Sequence, residues 1–300
     1  MVKLKAWVSA ARLRTLPLSV SGIIVGSAMA QSAGFFSWAV CILALLTTLG
    51  FQILSNFAND YGDGVRGTDN EERLGPMRAM QSGLLTETEL KQGIIFTSIL
   101  TALLSLALIY EAFGGEDFLL SLAFFLLGLS AILAAVKYTV GRGAYGYRGM
   151  GDLFVFLFFG LVAVSGSYIL YSQNLNIPIF FPAITVGMWS TAVLNLNNMR
   201  DRVPDAKMKK NTLAVFMGEK RSKIYHILLI MIGFFSLLLY LLITGDWLWA
   251  GISTVVIVPF SIHIKTVLQT ESPALLDPEL KKVALTTFAF ALLFAIGYIV

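Results

Sequence analysis

FLLSLAFFLLGLSAILAAV, residues 118–136, contains no charged side chain. At 1.5 Å per residue, an α-helix over this stretch is about 28 Å long, close to the hydrocarbon thickness of a bilayer. ILLIMIGFFSLLLYLLI, residues 227–243, has the same character. Both read as membrane-spanning helices, at about 118–137 and 224–244. Seven further apolar stretches fall at about 16–31, 35–56, 92–113, 152–171, 177–197, 247–265 and 283–300. The expected fold class is therefore all-α, a polytopic membrane protein with nine transmembrane helices, organised as a single domain over 1–300.

Composition leads to the same class. Hydrophobic residues make up 57% of the 300 residues and charged residues 13%, with a mean hydropathy of +0.77. Soluble domains carry roughly 45–50% and 25%. A soluble globular chain, a disordered chain, a fibrous protein and a disulfide scaffold are all excluded. The single cysteine, Cys41, lies in an apolar run and reads as a small filler.

Charge placement sets the expected orientation. With nine spans, every Lys and Arg falls on the face shared by the N-terminus and the loops after spans 2, 4, 6 and 8. The opposite loops carry only Glu111, Glu116, Asp117 and Asp246. Positive charge gathers on the cytoplasmic side, so the N-terminus and the long loops are expected there, in an integral cell-membrane protein. A basic pI near 9.1 is then explained without any nucleic-acid partner. The start resembles a signal peptide ending at Ala28-Met29-Ala30, but the charge bias needs it as an uncleaved first span.

Two polar segments share the charged face. One reads Asn59-Asp60-Tyr61-Gly62-Asp63-Gly64-Val65-Arg66-Gly67-Thr68-Asp69, with Asn56 a turn before it. The other reads Asn197-Asn198-Met199-Arg200-Asp201-Arg202-Val203-Pro204-Asp205. Asn197, Asp201 and Asp205 are four residues apart, which aligns them on one helical stripe, although Pro204 should kink or end the helix. Asn59 and Asp63 have the same spacing, and Asp69 follows a non-helical glycine-bearing stretch. Clustered oxygen ligands of this kind suit Mg²⁺, which shares its shell with water and substrate phosphate. Arg66, Arg73 and Arg78 near the first cluster, and Arg200, Lys209 and Lys210 near the second, suit phosphate oxygens. A third segment runs from Lys137 and Tyr138 to Gly151 and offers Arg142, Tyr145, Tyr147 and Arg148 to an aromatic or anionic acceptor.

These segments resemble the UbiA superfamily of intramembrane aromatic prenyltransferases. That family carries two motifs close to Asn-x-x-x-Asp-x-x-x-Asp at the ends of the second and sixth of nine helices. The second motif matches at Asn197, Asp201 and Asp205. The first matches at Asn59 and Asp63, but Gly67 stands where the third acid is expected and Asp69 comes two residues late. The spacing is similar to the branch that makes menaquinone precursors. Arg14-Thr15-Leu16-Pro17, Gly75-Pro76-Met77-Arg78 with Ser82-Gly83, and Tyr145-Gly146-Tyr147-Arg148-Gly149 are similar to it as well. Asn211-Thr212-Leu213-Ala214 departs mildly, because that branch more often has Arg or Lys before the Thr. The resemblance runs from about residue 5 to 225.

The resemblance implies a central cavity opening to the cytoplasmic face and transfer of a polyprenyl chain from polyprenyl diphosphate to 1,4-dihydroxy-2-naphthoate. It implies Mg²⁺, two ions bridging the diphosphate, on Asn59, Asp63, Asp69, Asn197, Asp201 and Asp205, with Asp60 as a reserve ligand. Asp63, Asp201, Asp205, Arg78, Lys137 and Arg142 become the expected catalytic groups. Asn56, Asp60, Arg66, Arg78, Tyr138, Tyr145, Tyr147, Arg148, Lys209 and Lys210 become the expected substrate contacts. Other acceptors within the family are 4-hydroxybenzoate, homogentisate, haem and a glycerol ether lipid. A cation transporter is a different class, but it would need acids near the bilayer midplane. His226 and His263 lack further ligands for a metal, and His226 reads as an interfacial polar residue.

Overall fold

The structure, a computed structural model, describes residues 2–248 and 250–299, without the side chain of Ile299. The last two expected spans include Trp249 and Val300, which lie outside the described residues. Among the described residues nine helical stretches are long and apolar enough to cross a membrane.

In chain order the elements are α1 (Val2–Ala11), α2 (Leu16–Ser32), α3 (Trp38–Val65), α4 (Glu87–Phe113), α5 (Phe118–Lys137), α6 (Gly151–Ser172), α7 (Phe180–Arg200), α8 (Arg202–Lys207), α9 (Leu213–Thr244), α10 (Ile257–Gln269) and α11 (Asp277–Ile299). Nine of these correspond to the expected spans; α1 and α8 are additional short helices. Arg12 separates α1 from the first span with a left-handed backbone, φ 51°. Side-chain caps fix several starts: Ser37 for α3, Asp117 for α5 and Thr212 for α9. Thr86 and Glu89 cap each other's backbone at α4.

The observed helices run further into the polar segments than hydropathy alone predicts. The helix α3 continues nine residues past 56 to Val65, so Asn59, Asp60 and Asp63 stand on the span itself. Its Gly62 packs on Thr139: a Cβ there would fall 2.5 Å from Oγ1. In α6, residues Phe156–Gly166 are wound as a π-helix, an uncommon winding that occurs often at functional sites. There Gly160 touches Gly187 of α7, where an added Cβ would stand 2.6 Å from the Gly187 Cα. Small residues let membrane helices approach this closely.

An aromatic core lies around the fully buried Trp189 of α7. Its indole sits 4.9 Å from the Phe234 ring, 4.6 Å from Phe260 and 5.0 Å from Phe290, and its Nε1 donates to Ile230 O at 3.1 Å. A Cβ on Gly233 would lie 2.2 Å from that nitrogen. Gly233→Ala is therefore expected to displace a fully buried indole and lose its hydrogen bond, costing about 2–4 kcal/mol. Thermal unfolding in detergent should show a fall of several degrees in the midpoint. An unchanged midpoint would mean that the indole moves freely.

His226, expected as an interfacial polar residue, does not lie on the protein surface. It is fully buried, with Nε2 at 2.7 Å from Nε2 of His263, whose Nδ1 meets Glu279 at 2.5 Å. Tertiary packing of α9 against α7 and α10 submerges a residue that the sequence places near a span end.

Candidate active site

A cavity of about 400 Å³ runs through the bundle. Its α3 wall extends from Ala44 to Asp63, about 28 Å at the α-helical rise. One end is polar and carries Asn59, Asp63, Asp69, Asn197, Asp201 and Asp205. The other end is apolar and reaches Ile109, Phe124 and Leu170. All six residues expected to hold metal thus face one space from three segments of chain.

Helical continuation past the apolar part of α3 sets Asn59 and Asp63 one turn apart on the cavity face. Asp63 accepts hydrogen bonds from Tyr147 Oη at 2.7 Å and from Lys210 Nζ at 3.2 Å. After Val65 the chain turns: Gly67 adopts φ 70°, and the Thr68 amide bonds back to Asp63 O at 2.9 Å. That turn explains the late acid. A left-handed residue replaces the third turn of helix, so Asp69 reaches the cavity by reversal of the chain rather than by helical spacing. The Arg73 Nε lies 2.7 Å from Asp69 Oδ1 and Arg78 Nε 3.6 Å from Oδ2. Both Asp69 Oδ2 and Arg78 Nε are buried without a hydrogen-bond partner.

In the second motif the helix breaks earlier than Pro204 predicts. The break falls at Asp201, φ −92° and ψ 9°, and α8 begins at Arg202. Pro204 then occupies the first turn of α8, where a missing N–H is harmless. Arg200, 1% exposed, locks this corner. It donates from Nε and Nη2 to the Asp201 carboxylate at 3.0 and 2.6 Å, from Nη2 to Asn197 Oδ1 at 2.8 Å, and from Nη1 to Asp277. Gly75 lies against this guanidinium: a Cβ there would stand 2.4 Å from Nη2.

Four cations thread the acids. Lys210 bridges the two motifs, 3.2 Å from Asp63 and 3.9 Å from Asp205. Arg73 also approaches Asp201 at 3.8 Å. Burial pushes the Asp205 carboxyl up to about 7, helped by Asp201 and Asp63 and opposed by Lys210. Burial likewise raises Asp69. Burial works against ionised Asp201 too, but the hydrogen bonds and charge of Arg200 prevail and hold its carboxyl below the usual range. Burial and the neighbouring Arg73 pull Arg78 down to about 10.

The other expected residues divide into two groups. Asn56, Arg78, Tyr138, Tyr145 and Lys210 line the cavity. Asp60, Arg66, Lys137, Arg142, Tyr147, Arg148 and Lys209 do not. Asp60 accepts from the backbone amides of Ala79 and Met80 at 3.1 and 3.3 Å and so holds the 66–86 loop down. Tyr147 braces Asp63, and Arg66 stacks on the Tyr147 ring at 4.1 Å. Lys137, Arg142, Arg148 and Lys209 are exposed. Arg12, Thr15 and Gln52 line the cavity without having been among the expected site residues; Arg73, expected to suit phosphate beside the first acid cluster, lines it too, and Arg200, expected beside the second, locks that motif without lining the cavity. Arg73 and Arg200 carried a signal in their nearness to the acids. Asp277, 77 residues from Arg200, carried none.

Among the described residues no three His, Cys, Asp or Glu side chains converge closely enough to hold a metal by themselves. The donor set nevertheless fits Mg²⁺, because it consists of carboxylate and amide oxygens, including the unpartnered Asp69 Oδ2. The UbiA prenyltransferase family pattern matches residues 19–277.

The chain belongs to the UbiA prenyltransferase family. A Haemophilus influenzae protein named 1,4-dihydroxy-2-naphthoate octaprenyltransferase is 40% identical to this family member, over 99% of the chain and 97% of that protein. An Escherichia coli protein of the same name is also 40% identical, over 98% of the chain and 94% of that protein. Among solved structures, a UbiA homolog from Aeropyrum pernix aligns with TM-score 0.69 at 13% identity, covering 92% of this chain and 97% of that one. A UbiA homolog from Archaeoglobus fulgidus, bound to GPP and Mg²⁺, aligns with TM-score 0.64 at 19% identity, covering 95% and 100%. The fold is that of the membrane UbiA proteins.

Proposed function

We propose that this chain transfers a polyprenyl group from polyprenyl diphosphate to 1,4-dihydroxy-2-naphthoate, releasing diphosphate and CO₂ and giving demethylmenaquinol. The carrying observation is the meeting of two acid motifs and their Arg and Lys partners at the polar end of a long apolar cavity. Near-full-length likeness to two proteins named for this reaction supports the acceptor. The chain works as a single domain, with its N-terminus, acid motifs and cavity mouth on the cytoplasmic side, in keeping with its charge asymmetry.

In the reaction a ring carbon gives an electron pair to C1 of the allylic chain while the C–O pair leaves with diphosphate. The pair of the ring–carboxylate bond returns to the ring as CO₂ departs. Asn59, Asp63, Asp69, Asn197, Asp201 and Asp205 would hold Mg²⁺, in two ions bridging the diphosphate. Bound there, Mg²⁺ supplies Lewis-acid stabilisation of the leaving diphosphate. Arg73, Arg78 and Lys210, now paired with carboxylates, are positioned to turn toward phosphate oxygens. The apolar walls keep water from the allylic cation, and Phe and Tyr faces such as Tyr138 and Phe154 stabilise it.

The test is an assay of the purified protein in detergent with polyprenyl diphosphate, the naphthoate, and either Mg²⁺ or EDTA. Decarboxylated prenyl naphthoquinol formed only with Mg²⁺ is the expected product. Diphosphate release with 4-hydroxybenzoate alone would move the acceptor, and no release with any acceptor would sink the reading. A pH dependence accompanies it. Asp205 holds its proton up to about pH 7, and Mg²⁺ must displace that proton. The Mg²⁺ requirement should therefore rise about tenfold per unit below pH 7 and level off above it. Asp205→Asn should flatten that profile. A wild-type requirement independent of pH between 5 and 8 would contradict it.

A further inference from the structure

We propose that Arg12 is the anchor for the carboxylate of the aromatic acceptor, in a subsite deeper than the diphosphate site. This inference rests on the prenyltransferase reading above.

Arg12 faces the cavity, but no carboxylate of the described residues lies within ion-pair distance of it. Its one hydrogen bond is long, Nη2 to Asn56 O at 3.5 Å. This sets it apart from Arg73, Arg78, Arg200 and Lys210, each of which already has an acid. Its backbone is left-handed, φ 51° and ψ 60°, a conformation that a non-glycine residue keeps only where its surroundings impose it. The imposing contacts are visible. Asn56 Nδ2 donates to Ala11 O at 2.9 Å and to Thr15 Oγ1 at 3.2 Å, and Gln52 Nε2 donates to Thr15 Oγ1 at 3.2 Å. These bonds clamp the chain on both sides of Arg12.

The polar α3 residues beside Arg12 lie deeper than the acids of the first motif. Gln52, Asn56, Asn59 and Asp63 form one stripe on α3, and all four line the cavity. Asn56 lies about 10 Å below Asp63 along the helix, and Gln52 about 16 Å. A diphosphate held at Asp63 leaves its allylic C1 pointing inward, so the attacking ring must sit at this lower level. A hydroxylated ring needs hydrogen-bond partners there, and its carboxylate needs a cation. Thr15, Gln52 and Asn56 offer the first and the Arg12 fork offers the second. Pairing with a guanidinium also holds the carboxylate against loss as CO₂ until alkylation has removed the ring's aromaticity. The product no longer carries the anion, so its grip on the site weakens.

The experiment compares equilibrium binding of 1,4-dihydroxy-2-naphthoate with that of 1,4-dihydroxynaphthalene, which lacks the carboxylate, in protein loaded with Mg²⁺ and inorganic diphosphate. Wild-type protein is expected to prefer the naphthoate at least tenfold. Arg12→Ala should erase that preference, and Arg12→Lys should keep part of it. Arg12→Gly removes the guanidinium while tolerating the left-handed backbone, so it reads the same loss where alanine misfolds. Diphosphate affinity should stay unchanged in all three. An unchanged preference, or a loss of diphosphate affinity in its place, would overturn the assignment. Turnover with either acceptor is measured separately, so failure of prenyl transfer is distinguished from failure of the subsite.

Discussion

Asp201→Ala lowers turnover at least about a hundredfold, the expected loss when one preorganised group serving a developing charge is removed. Two effects combine. The variant loses an expected Mg²⁺ ligand at the corner between α7 and α8. It also strips Arg200 of its bidentate partner, leaving that guanidinium with Asp277 and Asn197. Breaking a buried ion pair from one side costs about 3–5 kcal/mol, so the unfolding temperature should fall as well. Asp201→Asn separates the two effects, because it retains the shape of the side chain and an acceptor oxygen for Arg200. Initial rates over a Mg²⁺ series, with thermal unfolding of both variants, provide the measurement. A wild-type rate in a folded variant would remove Asp201 from the metal site. A stable Asp201→Asn protein with a low rate and a raised Mg²⁺ requirement is the anticipated result.

Lys210→Met should be nearly as damaging, for a different reason. Lys210 is paired with acids of both motifs, 3.2 Å from Asp63 and 3.9 Å from Asp205. These carboxylates raise its pKa despite its burial, which otherwise favours the neutral amine. The cation therefore stays charged through the physiological range. Its removal takes one positive charge from the place where the diphosphate accumulates negative charge. A rate loss of about a hundredfold is expected, together with weaker inhibition by product diphosphate. If turnover fell while diphosphate inhibition kept its wild-type strength, Lys210 would be acting only on the packing of the two motifs. The variant should also become more dependent on low pH for stability. Asp205 loses the charge that opposes its burial, so its carboxyl rises further above the unfolded value. That contribution favours the folded state at low pH and fades as pH climbs through the folded pKa.

Much of this architecture was legible in one dimension because a bilayer imposes a one-dimensional rule. A spanning segment must satisfy its backbone internally and present apolar side chains for about 20 residues. All nine spans, the charge asymmetry and both acid motifs follow from local composition and i, i+4 spacing. Asn197 with Asp201, and Asn59 with Asp63, were readable for that reason: helix geometry carries short spacings directly into space. Tyr147 and Asp60 were readable as polar and near the motifs, but their roles were not. One braces Asp63 and the other ties down a loop, and both roles depend on which backbone happens to lie beside them.

The residues that escaped are those whose partners are distant in sequence. Asp277 meets Arg200 only because α11 begins beside the end of α7. Arg12 faces the cavity only because Asn56 and Gln52 clamp the turn between α1 and α2. The break at Asp201 and the burial of His226 are likewise products of packing. By itself the amino-acid sequence determined how many times the chain crosses the membrane, where its charges gather and which acids it brings to one face. Local hydropathy and helical periodicity are sufficient for those properties. Only the tertiary structure decided which cation pairs with which acid, and that Arg12 faces the cavity with no acid of the described residues within ion-pair distance. An ion pair forms within about 4 Å, and no sequence spacing longer than a helical turn specifies such a distance.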